Sequence, residues 1–120
     1  MLRIFTPPTA EPITLAEVRQ HLRLPEDASE DALLLGLITT ARVYCENYTR
    51  RALAEQTLET YQDRFSGAEP ILLPCPPLQS VMEIGYTDST GQETILSNLD
   101  YVVDTACEPG RVMPAYGTTW

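Results

Sequence analysis

Positive charge is scarce in this chain of 120 residues: eight Lys+Arg stand against 17 Asp+Glu, a formal net charge of -9. Such a surface repels a polyphosphate backbone, which argues against specific and non-specific nucleic-acid binding; it is compatible with a wall past which DNA slides without sticking, but acidic charge more often serves solubility alone. Cysteine is sparse and unpatterned. Cys45, Cys75 and Cys107 are odd in number and form no CxxC, so neither a disulfide framework nor a cysteine-rich zinc site is indicated, and they read as reduced thiols of a cytoplasmic protein. Long apolar runs are missing too. Met1-Leu2-Arg3-Ile4-Phe5-Thr6-Pro7-Pro8 has no signal-type apolar region, and no later stretch approaches a membrane span, so neither secretion nor membrane anchoring is expected. Catalytic signatures are lacking as well: no Gly-rich phosphate loop, G-x-S-x-G elbow or H-E-x-x-H helix occurs, and the carboxylates form no paired motif. The sequence gives no support for an enzyme and implies no cofactor or metal.

What is present is enough for one modest core. Hydrophobic residues make up 43% of the chain, charged residues 21% and aromatics 8%, and apolar positions recur along most of its length. A single domain over residues 1–120 follows, divided into an extended arm (1–13), a helical part (14–53) and a β part (54–120). Pro7, Pro8 and Pro12 fix φ and remove amide donors in the arm, which keeps it extended and able to lie across a neighbour. Thr14-Leu15-Ala16-Glu17 has the form of a capping box, and a short helix from Leu15 to Leu22 is predicted, closed by Pro25. A longer helix starts near Asp27 or Ser29, where Glu26, Asp27, Glu30 and Asp31 complement the helix dipole, and runs to about Tyr48. Leu34, Leu37, Ile38, Ala41, Cys45 and Tyr48 form its expected buried stripe, with Arg42 and Glu46 as an i,i+4 pair on another side. Leu35 and Val43 fall outside the stripe, where a helix packed on one face would be polar, and this points to a contact with another subunit.

After Arg50 and Arg51 the pattern turns to short β runs: 56–65, 71–73, 81–86, 93–96, 101–103 and 111–113. Met82, Ile84 and Tyr86 alternate with Glu83 and Gly85, the period of a sheet with one buried face. Asp88-Ser89-Thr90-Gly91 reads as a hairpin turn and Glu108-Pro109-Gly110 as another tight reversal. The fold class is therefore α+β, with one short and one long N-terminal helix followed by a small antiparallel sheet.

Possible chemistry reduces to structural roles. Asp27-x-Ser29-x-Asp31 imitates the start of a calcium loop, but Ala32 and Ile38 stand where the turn glycine and the bidentate glutamate are required, so helix capping is the better reading. His21, the single histidine, reads as a solvated helix residue. Pro74-Cys75-Pro76-Pro77 is a rigid turn between strands rather than a ligand for an aromatic groove, and Arg50 and Arg51 suit a helix C-terminus.

Four segments in order carry a family resemblance: Pro12-Ile13-Thr14-Leu15-Ala16-Glu17-Val18 with His21-Leu22-Arg23-Leu24; residues 41–53, from Ala41-Arg42-Val43-Tyr44 to Arg51-Ala52-Leu53; Leu73-Pro74-Cys75-Pro76-Pro77-Leu78-Gln79-Ser80-Val81; and Tyr101-Val102-Val103-Asp104 with Glu108-Pro109-Gly110-Arg111. Together they resemble the head-to-tail connector proteins of long-tailed phages and prophages, often labelled DNA-packaging proteins. The resemblance implies a mainly helical protein with a β insertion, assembling with itself as a ring of about a dozen copies in cyclic symmetry. Such a ring sits between the portal and the next connector, stopper or tail component and extends the DNA channel. It implies residence in the virion at the head-tail junction, and in the host cytoplasm during assembly. Family members continue past the segment resembling residues 114–120 with another strand and further helices, so the sequence reads as either a fragment or a naturally short version without the C-terminal helices. The expected subunit contacts are Leu35, Val43 and the Pro7-Pro8 arm. Two other classes stand beside this reading: a small acidic soluble adaptor or chaperone-like prophage protein that binds a basic partner, and a small hydrolase using Cys45 or Cys107, which would need a thiol of lowered pKa.

Overall fold

The computed structural model describes residues 1–25, 27–65 and 67–120. Glu26, expected to add charge at the start of the second helix, lies outside the described residues. Two compact units divide the chain, one of residues 2–59 and one of residues 60–120 with Met1.

In the unit of residues 2–59, the arm contains a strand, β1 (Leu2–Thr6), which lies beside β2 (Thr57–Thr60) in a two-stranded sheet. Arg3 crosses this pair to Glu59, its Nε 2.9 Å from the carboxylate. The first helix, α1 (Leu15–Leu22), has the predicted bounds because its cap is built as the sequence pattern requires. The Glu17 amide donates to Thr14 Oγ1 at 3.2 Å, and the Thr14 amide donates to Glu17 Oε2 at 2.7 Å, so two orphan amides are satisfied reciprocally. Arg23 closes the helix in a left-handed conformation at φ 55.

The second helix begins as a single 3-10 turn, Ala28–Glu30, and continues as α2 (Asp31–Thr49). Asp27 caps that turn: its carboxylate accepts from the Ser29 amide at 3.0 Å and from the Ser29 hydroxyl at 2.7 Å. The calcium-like spacing is thus used for capping. Arg19 of α1 bridges to the loop and to α2, donating to the Pro25 carbonyl at 2.5 Å, to the Asp27 carbonyl and to the Asp31 carboxylate.

The unit of residues 60–120 holds two further sheets, where the sequence suggested one. β3 (Ile71–Leu72), β7 (Arg111–Pro114) and β6 (Tyr101–Asp104) form an antiparallel sheet in the order β3-β7-β6. β4 (Gly85–Thr87) and β5 (Glu93–Ile95) form a separate hairpin, with Tyr86 opposite Thr94. The expected turn closes it: Asp88 Oδ1 accepts from the amides of Thr90 at 2.7 Å and Gln92 at 3.0 Å, and Gly91 supplies φ 83. The expected run 81–86 is a strand only at its end. Met82, expected on the buried face with Ile84 and Tyr86, is 78% exposed, because among the described residues no strand pairs with it and alternation alone creates no cover.

Val112 on the central strand β7 is 1% exposed, and Phe65, Tyr86 and Trp120 form an aromatic group beside which the Trp120 indole donates to the Glu69 carbonyl. The reversal at 108–110 brings Gly110 against Leu78 so closely that an added Cβ would lie 2.4 Å from the Leu78 Cβ.

Candidate subunit interface

Helix α2 packs against α1, and the residues it buries form a narrow i, i+4, i+8 row: Leu34, Ile38 and Arg42. The expected stripe is corrected by this row. Leu34 and Ile38 belong to the core, whereas Leu37, Ala41, Cys45 and Tyr48 are exposed. The physical reason is Arg42, which was placed on another side but occupies the packed row, buried with its guanidinium paired to two carboxylates.

Arg42 is the hub of that row. Its Nε donates to Glu11 Oε2 at 2.7 Å and its Nη1 to Glu46 Oε2 at 2.7 Å; Thr39 Oγ1 donates to Glu11 Oε1 at 2.9 Å. Glu46 uses its other oxygen to accept from the Leu53 amide at 2.8 Å and from Gln56 Nε2 at 3.0 Å. One cation therefore ties the segment before α1, the helix and the chain after it. The hydrogen bonds from Arg42 hold the Glu11 carboxyl below the usual carboxylate range, and those carboxylates in turn hold the Arg42 guanidinium above its ordinary value. The i,i+4 pair of Arg42 with Glu46 had been legible; Glu11, 31 residues away, had not.

Beyond this row several apolar side chains of the helix are uncovered. Leu35 and Val43, each one residue after a member of the row, are 49% and 41% exposed, as their off-stripe positions required. Pro7 is exposed and Pro8 half-buried, in the same unit, just after β1. The opposite flank, which sequence reasoning did not single out, carries Leu33, Leu37, Tyr44 and Tyr48, and the two tyrosines are 71% and 81% exposed. Their rings stack, with centroids 6.5 Å apart. A signal was available: Leu33-Leu34-Leu35 is an unbroken apolar run on a helix, so no single packed face can cover it.

The residues considered for chemistry are dispersed. His21 is exposed on α1, Cys45 is exposed on α2, and Cys107 lies beyond β6. The Cys107 thiol donates to Asp104 Oδ2 at 3.2 Å, and this bond to an anion pushes its pKa up, away from what a nucleophile needs. Asp104 also accepts from Arg111 Nε at 2.9 Å across the β6-β7 rung. Among the described residues no group of three or more His, Cys, Asp or Glu is placed to hold a metal ion, and no helix is long and apolar enough to cross a membrane.

What this chain exposes most prominently among the described residues is therefore the apolar side chains of α2. The chain belongs to the phage gp6-like head-tail connector protein family, whose profile matches residues 12–105. No curated protein and no solved structure matches it. The family is a structural component of the phage, so the chain has a structural connector role, acts with other phage head and tail proteins and is a virion component.

Proposed function

We propose that this chain forms a ring-like connector at the head-tail junction, of about a dozen copies in cyclic symmetry, that joins the portal to the next connector or tail protein and extends the DNA channel. The uncovered apolar surface of α2 carries this reading, because such surface is retained in soluble chains for association with other protein. The net charge of -9 supports it, since a channel wall that repelled the DNA backbone would let DNA pass. Residues 1–120 act as one connector domain whose contribution is mechanical, without an enzymatic step. The protein is made and assembled in the host cytoplasm before it enters the particle. Leu35, Val43 and the Pro7-Pro8 arm are the proposed contacts between neighbouring copies in the ring.

Deleting the gene from an inducible prophage tests this role. The expected result is DNA-filled heads and separate tails, restored to joined particles by the wild-type gene and not by the Leu35→Glu, Val43→Glu double variant. Joined, infectious particles in the deletion strain would overturn the proposal.

A further inference from the structure

The flank of α2 that carries Leu33, Leu37, Tyr44 and Tyr48 has a second property besides exposure: its residues are arranged symmetrically along the helix. In an antiparallel pairing centred between Thr40 and Ala41, Leu33 faces Tyr48 of the other copy, Leu37 faces Tyr44, and Thr40 faces Ala41. An isologous two-fold contact requires this relation, in which residue i meets j and j meets i. Each large ring opposes a leucine, and the two small residues at the centre allow the helix axes to approach. The same pairing brings the acidic start of the helix, where Asp31 already bonds Arg19 and Glu30 is exposed, towards Arg50 at the other copy's basic end, so the two ends differ in sign. Between those ends the flank positions Leu33, Leu37, Thr40, Ala41, Tyr44 and Tyr48 carry no charge at neutral pH, while Arg42 and Glu46 lie on the packed side of the helix, so two copies of a chain with net charge -9 meet along an uncharged strip.

We propose that the free protein dimerises through an antiparallel α2–α2 seam built on Leu33, Leu37, Tyr44 and Tyr48. The occupant is a second copy of this chain, since a basic partner would leave the neutral strip unmatched and a parallel copy would set like charges together. Tyrosine supplies large rigid contact area, about 150–250 Å² when buried, and the four tyrosines and four leucines of the two copies bring the seam near the lower bound of specific interfaces, roughly 1,200 Å². The Tyr44–Tyr48 stack is already formed in the single chain, so little ordering is needed on binding. This seam lies on the flank opposite Leu35 and Val43, and its existence does not depend on the ring.

Sedimentation equilibrium of the full chain at micromolar concentration tests the seam. The wild type is expected to run as a dimer. Leu37→Glu with Tyr44→Glu is expected to shift the dissociation constant at least tenfold towards monomer while leaving the circular dichroism spectrum unchanged, and Leu35→Glu with Val43→Glu is expected to leave the dimer intact. A chain with Cys45→Ser and Thr40→Cys is expected to form a covalent dimer on mild oxidation, and one with Cys45→Ser and Leu35→Cys is not. A wild type that stays monomeric, a dimer unmoved by Leu37→Glu with Tyr44→Glu, or cross-linking through position 35 instead of 40 would overturn the proposal. Because the ring is read from particle assembly, any of these results leaves that reading separately decidable.

Discussion

Replacing Arg42 with alanine removes the cation that both Glu11, before α1, and Glu46, on α2, bond, and leaves two carboxylates without it. Breaking a buried ion pair from one side costs about 3–5 kcal/mol, because the surviving charge keeps its desolvation penalty. Here the Glu11 and Glu46 side chains retain 24% and 13% of their exposure, so water recovers part of that loss, and about 2–4 kcal/mol is expected. At about 0.05–0.15 kcal/mol per residue, the unit of residues 2–59 has about 3–9 kcal/mol in total, so it would come close to unfolding. Urea denaturation at pH 7, followed by helical circular dichroism, should show a midpoint lower by about 1–3 M. The combination Arg42→Met, Glu11→Gln, Glu46→Gln removes the stranded charges and is expected to recover at least half of the loss. The effect should also fade in acid. The folded Glu11 carboxyl lies below its ordinary range, so its contribution is present above that range and is lost as pH falls through it; protonated Glu11 no longer needs Arg42. A midpoint change below about 0.5 M at pH 7, or a triple variant no better than Arg42→Ala, would refute the role of this hub.

Three further outcomes follow from the geometry. Gly110→Ala sets a methyl 2.4 Å from the Leu78 Cβ, a clash that should lower stability by about 1–3 kcal/mol, measured as a urea midpoint. Thr14→Ala removes the side-chain acceptor of the α1 cap and should cost about 1 kcal/mol, whereas Thr14→Ser should cost little. Asp104→Asn removes the anion that keeps the Cys107 thiol protonated while Arg111 remains, so alkylation of Cys107 at neutral pH should accelerate; an unchanged rate would contradict the bond seen between them.

Much of the secondary structure was legible because it is locally encoded. The capping box gave the start of α1 and Pro25 limited its end, the acidic start gave the onset of α2, and each short β run contains a strand or its end. What failed was the choice of face. Helical periodicity groups Leu34, Leu37, Ile38, Ala41, Cys45 and Tyr48, yet which part of an apolar helix is covered depends on what packs there, and α1 with Glu11 covers only the Leu34, Ile38 and Arg42 row. The same limit applies to Met82, whose alternation is real but with which no strand pairs among the described residues. The division of the strands into three sheets likewise depends on long-range pairing that runs of three or four residues cannot specify. The candidate contacts Leu35 and Val43 were visible as breaks in a pattern, whereas Leu37 and Tyr48 were absorbed into a presumed core, Leu33 and Tyr44 were not singled out, and the flank they share became evident only once its exposure was known.

The most direct test of the connector role is to mix the purified chain of 13.4 kDa with its isolated portal and image the product by electron microscopy. The account predicts a cyclic layer of about a dozen copies seated coaxially on the portal, with the central channel continuing through it. Portals that remain bare across the micromolar range would contradict it.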